Sequence, residues 1–315
     1  MENQPLIEQQ KVIRQPKTHF KWGKNIALYV MLIPGIVLTL IFSYLPMGGL
    51  VIAFQDYKPW LGMLKSNWVQ WDHFAMMFLR DDSVQIIWNT LIISSAKLTA
   101  GLIIPIVFSL LLNEVRQLFF KKTVQTLVYL PHFLSWVILG GILTDLLSSS
   151  GLINSWVEKL NHGKPILFLA DGDWFRIIVV ISDIWKEFGF ATIVFLAALA
   201  GVNPSLYEAA EVDGAGRWKQ TLNITLPAIA PIIVVVGTLS LGNILNAGFD
   251  QIFNLYNPLV YSKGDIIDTF VYRTGIISGG FSFATAVGMF KSVIGFILIA
   301  LAYWSSGKFA NYRIF

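Results

Sequence analysis

Cysteine is missing altogether, which excludes disulfides, zinc thiolate sites and thiol catalysis. Charge is scarce as well. Asp, Glu, Lys and Arg make up 13% of the residues, where a soluble domain carries about 25%. The formal net charge of +4 is modest and is read through topology, not through nucleic-acid binding. There is no GxxxxGK[ST] stretch to cradle nucleotide phosphates and no HExxH or similar metal spacing. The four histidines are scattered, so no catalytic constellation, metal site or cofactor site is expected in this chain. What is present is apolar: 55% of residues are hydrophobic and the mean hydropathy is +0.62. The chain is an integral membrane protein, with lipid as its first partner.

A membrane-crossing helix needs about 20 mostly apolar residues. Six stretches qualify, at about 26–45, 85–112, 123–144, 176–200, 227–249 and 281–304. Residues 1–24 hold five Lys/Arg and no long apolar run. They read as a polar tail ahead of a membrane domain at 25–315 and not as a signal peptide. Trp60, Trp68 and Trp71 mark the first polar loop as interfacial. With the amino terminus inside, twelve of the 23 Lys/Arg residues fall on the cytoplasmic side and seven in the longer outer loops. The density of positive charge is therefore higher inside, as cytoplasmic loops require, and both termini are placed in the cytoplasm.

Charges and amides at membrane depth are costly and face protein or water. Asn243, Asn246, Asp250 and Asn254 are spaced three, four and four apart, with Gln251 beside them, so a continuous helix would align them on one stripe. Two readings of that stripe stand: a water-filled passage for hydroxyl-rich cargo, or interhelical hydrogen bonding. Asp183, Trp185, Lys186 and Glu187 cluster in the fourth stretch. A local pair of Asp183 with Lys186 and contact with cargo are both open, and Trp185 suits either a sugar face or an interfacial anchor. Lys97 and Lys291 could each neutralise an acidic cargo but read first as snorkelling lysines, His132 reads as a hydrogen-bonded core residue before a proton relay, and Pro34, Pro105 and Pro131 read as kinks.

Between the fourth and fifth stretches lies the polar segment 205–227. Ser205 and Glu208 have capping-box spacing, and Gly214 is placed to end a short helix in the left-handed conformation. Within it, Glu208, Ala209, Ala210, Gly214, Ile224, Leu226 and Pro227 resemble, in register, the EAA signature of ABC importer permease subunits. Asp213, Gly214 and Ala215 resemble the carbohydrate-importing members. So do the runs 53–60, 248–252 and 268–273, which are similar to the complex-carbohydrate and oligosaccharide branch.

The resemblance implies a type I importer permease: an all-α membrane protein of six transmembrane helices, with a cytoplasmic coupling helix between spans four and five. It implies a second homologous permease subunit, two ATP-binding subunits that hold ATP and Mg, and an extracytoplasmic solute-binding protein, in a bacterial plasma membrane. Glu208, Ala209, Ala210, Asp213, Gly214, Ala215, Ile224, Leu226 and Pro227 would couple the permease to the ATPase. Trp185, Lys186, Asn243, Asn246, Asp250, Gln251 and Asn254 would line the path of an oligosaccharide, alginate or pectin fragments among the candidates. The rival expectation is an ion-gradient-driven secondary transporter with Asp183, Glu187 or Asp250 as its coupling carboxylate.

Overall fold

The computed structural model describes residues 22–160 and 163–309, and side chains at Ile26, at 28–160 and at 163–304. Most of the expected polar tail, His162 and the last six residues lie outside these. The residues up to Leu50 form a unit of their own. In it α1 (Trp22–Thr39) runs on through a wider π turn, Leu40–Tyr44, into a tighter segment that begins at Leu45.

The second unit, from Val51 on, is almost wholly helical. A two-residue β pairing, Gln55–Asp56 with Asn67–Trp68, closes the first polar loop around α2 (Gly62–Lys65), and α3 (Asp72–Leu79) follows it. The long helix α4 (Asp81–Glu114) follows, unbroken through Pro105. The third apolar stretch differs from expectation. It is α5 (Leu118–Tyr129), a 3-10 turn at Leu130–Phe133 and α6 (Trp136–Leu147), because Pro131 cannot donate to the ladder and Ser135 caps a new helix start. The expected second outer loop contains a further helix, α7 (Leu152–Leu160).

The fourth span is α8 (Gly172–Ala200), and α9 (Pro204–Val212) turns off its end at 68°. The fifth span is displaced from its expected bounds. It begins at α10 (Arg217–Gln220), passes a π turn at Thr221–Thr225 and ends with α11 (Leu226–Leu241). Ile224, Leu226 and Pro227 therefore belong to the spanning helix, and the loop proper closes at Gly216. Beyond a non-helical break come the short helices α12 (Phe249–Leu255), α13 (Tyr261–Gly264) and α14 (Ile267–Tyr272), and finally α15 (Phe281–Phe309). Among the described residues, five helical stretches are long and apolar enough to cross a membrane, and α8 counted together with α9 would be a sixth.

The core is built where α4 lies along α8. Ile93 of α4, Phe175 and Val179 of α8, and Ala247, Ile252 and Leu255 around the break form one apolar cluster, each at most 4% exposed. A second cluster joins Met77, Ile86, Phe270, Phe283 and Val287 toward α15. Lys97 and Asp183 each stand four residues beyond a member of the first cluster, on the same helical faces as Ile93 and Val179. The apolar layer thus carries a polar one directly above it.

Candidate functional site

The helix α9 is fixed at both ends by its own sequence. Its N-cap is Asn203, not the expected Ser205. Asn203 Oδ1 accepts from the Ser205 amide at 3.0 Å, and Pro204 fills the first helical position, where no amide donor is needed. At the other end Gly214 adopts φ +73°, as its position suggested. The Gly214 amide donates to the Glu211 carbonyl at 3.0 Å and the Ala215 amide to the Ala210 carbonyl at 2.8 Å, the bond pair of a Schellman closure. Between these ends Glu208 and Ala209 are exposed and Ala210 is half-buried. Leu206 and Val212 are apolar and open, Val212 at 89%. Tyr207 shares a 3.0 Å hydrogen bond with Thr225, which ties the knob to the start of the fifth span.

The fifth span stops where the amide stripe was expected to run. From Gly242 to Gly248 the chain makes turns in place of helix, and Gly248 sits at φ +93°. The stripe Asn243–Asn246–Asp250–Asn254 is therefore not one helical face. Leu245 and Ala247 turn inward (6% and 0% exposed) while Asn243 and Asn246 turn outward. Those two asparagines line a cleft of about 250 Å³ with Ser94, Lys97, Leu98 and Ser240. They also line a second cleft of about 330 Å³ with Lys291, Ser292 and Phe296. Asp250 is exposed on α12. Asn254 donates back to the Asp250 carbonyl at 2.7 Å.

Residues 98–310 match the family described as the binding-protein-dependent transport system inner membrane component. The chain belongs to that family. The permease is 47% identical to the protein LplB of Bacillus subtilis over 91% of each chain. It is 45% identical to the polygalacturonan/rhamnogalacturonan transport permease YteP of the same organism, over 91% of this chain and 90% of that one. Its fold superposes with a TM-score of 0.84 on a chain of a bacterial ABC transporter involved in importing the acidic polysaccharide alginate. Identity there is 41%, over 91% of this chain and 97% of that one. A second alginate ABC transporter structure, in complex with an alginate pentasaccharide-bound periplasmic protein, gives a TM-score of 0.85 at 39% identity, over 93% and 98% of the chains. The permease is thus a multi-pass membrane protein of the ABC importer type.

The remaining candidate residues divide sharply. Trp185 is exposed (48%) and free to meet another surface. Lys186 is not: its ammonium donates to Glu187 and to the His132 carbonyl, both at 2.8 Å. Glu187 is held in turn by His132 Nδ1 at 2.7 Å, and the His132 ring stacks on Phe190 at 4.1 Å. The expected local pair of Asp183 with Lys186 does not form, because Asp183 faces α4 and binds Lys97 at 3.1 Å. Lys97 does not snorkel; its side chain is only 9% exposed. Lys291 meets Asp268 at 2.6 Å. Gln251 is fully buried and donates to the Val179 carbonyl and Ser182 Oγ, each at 2.8 Å. It is part of the wall, not of the open surface.

Between α13 and α14, Asp265 is 1% exposed and takes bonds from Arg273 (2.5 Å) and Thr269 (2.7 Å). The Arg273 guanidinium lies 4.1 Å over the Tyr261 ring. Burial, reinforced by Tyr261, pushes the neighbouring Tyr256 hydroxyl up to about 12. Among the described residues no group of His, Asp and Glu is arranged to hold a metal ion.

Proposed function

We propose that the permease is the transmembrane subunit of an ATP-driven importer of oligosaccharides, and that α9 is its coupling helix. It pairs with a second, homologous permease subunit above two ATP-binding subunits, and an extracytoplasmic solute-binding protein delivers the cargo. Both termini and α9 face the cytoplasm of a bacterial cell. Glu208, Ala209, Ala210, Asp213, Gly214 and Ala215 form the docking surface, with Ile224, Leu226 and Pro227 anchoring it to the fifth span. Cargo passes the face that carries Trp185, Asn243, Asn246 and Asp250, where amides and a carboxylate suit hydroxyl-rich ligands.

The observation that carries this reading is the exposed, doubly capped α9 set at 68° to the end of α8. A rigid knob with uncovered apolar side chains, joined to two spans, transmits displacement from a separate protein. The rival ion-coupled mechanism has less to work with, since Asp183 and Glu187 are both taken up in ion pairs. The relatives that transport polygalacturonan, rhamnogalacturonan and alginate favour acidic oligosaccharides as cargo. Uptake of labelled alginate and oligogalacturonate fragments by cells expressing the permease with its partner subunits tests this. Uptake that survives an ATPase-dead partner, or that an uncoupler alone abolishes while ATP is maintained, refutes ATP coupling.

A further inference from the structure

We infer that Lys97 is a positioning residue that holds the fifth-span break in the shape that turns Asn243 and Asn246 onto the cleft. The inference rests on the reading of that cleft as the cargo path. Lys97 lines the cleft, so its charge invites assignment as a ligand for an acidic sugar. The geometry excludes that use. A lysine ammonium has three hydrogens, and here all three are engaged: by Asp183 Oδ1 at 3.1 Å, by the Ala247 carbonyl at 2.8 Å and by Gln251 Oε1. Its charge is matched by that of Asp183 within the wall.

Each of these three bonds fixes a different part. Asp183 links α4 to α8. The Ala247 carbonyl lies within the break, where no helical amide answers it. Gln251 is itself bound to α8 through Val179 and Ser182. The ammonium comes so close to the chain that a Cβ placed on Gly248 would sit 3.0 Å from it. One side chain therefore joins α4, α8, the break and α12, and Asn243 and Asn246 lie four residues and one residue ahead of Ala247, whose carbonyl it pins.

The absence of cysteine from this chain permits a direct test in the full importer, with the label on this chain read after it is separated from the partner subunits on a denaturing gel. Asn246→Cys supplies a single thiol on the cleft, and Leu64→Cys, in the first outer loop, supplies a fully exposed control. The rate of modification by a small charged methanethiosulfonate is read in each background. Losing one buried hydrogen-bond partner corresponds to about tenfold in an equilibrium. Lys97→Met should therefore shift the Asn246→Cys rate by more than about threefold and leave Leu64→Cys unchanged, with Lys97→Arg restoring part of the difference. Should Lys97→Met fail to assemble because Asp183 is left unpaired, the double variant Lys97→Met/Asp183→Leu takes its place with the same expectation. A smaller shift at Asn246→Cys, or an equal shift at both thiols, overturns the proposal. The labelling needs no sugar, so failure to take up both alginate and oligogalacturonate fragments would sink the cargo reading and leave this result standing.

Discussion

Two glycines and one ion pair show how single residues set this molecule's behaviour. Gly214 holds φ +73°, and a methyl group added there would meet nothing within 4 Å. A side chain at that position is therefore opposed by backbone conformation alone, by about 1–2 kcal/mol. Gly214→Val should lower ATPase stimulation by loaded binding protein while the chain still inserts; Gly214→Pro or Glu208→Ala should act in the same direction. Unchanged stimulation in a reconstituted importer would count against the docking role. Gly248 is doubly constrained, by φ +93° and by the Lys97 ammonium, so Gly248→Ala should impair transport more than it impairs expression. Arg273 neutralises Asp265, which is buried. Arg273→Leu leaves that carboxylate unpaired and should lower stability by about 3 kcal/mol. Melting in detergent reads the loss, and the double variant Arg273→Leu/Asp265→Leu should recover most of it.

Among the elements, those governed by local rules were legible in the sequence. Capping chemistry and a terminal glycine announced α9, because such signals act within one turn. The cap itself lies two residues earlier than the capping-box spacing suggests, and the Asn203–Pro204 pair carries its own start signal. Asn203→Ala should therefore fray the first turn, by about 1 kcal/mol. That is read as faster amide exchange at Ser205 and Leu206, with Ser205→Ala changing it little. The break after Leu241 was not legible. Its residues are apolar enough to continue a helix, and the asparagine spacing suggests that they do. Gly242 and Gly248 were the available signal, but only the Lys97 ammonium, arriving from α4, gives the Ala247 carbonyl a partner.

For the molecule as a whole, the proposed topology makes a definite claim. A single cysteine at Val212, which is 89% exposed, should react with an impermeant thiol reagent only from the cytoplasmic side of intact cells. Reaction from outside would invert the proposed orientation and remove α9 from any ATPase. Hydropathy, the scarcity of charge and the EAA spacing determined by themselves that the chain crosses a membrane repeatedly and carries a knob between two spans. These are sums over neighbouring residues, which need no knowledge of the fold. Which charges are spent on each other, where the third and fifth spans break, and which amides stay open to the cleft were decided only by tertiary structure. Lys97 and Asp183 are 86 residues apart, and Lys97 and Gln251 are 154 apart. No window along the chain contains those pairs, so their partnership exists only once α4, α8 and the break have been brought together.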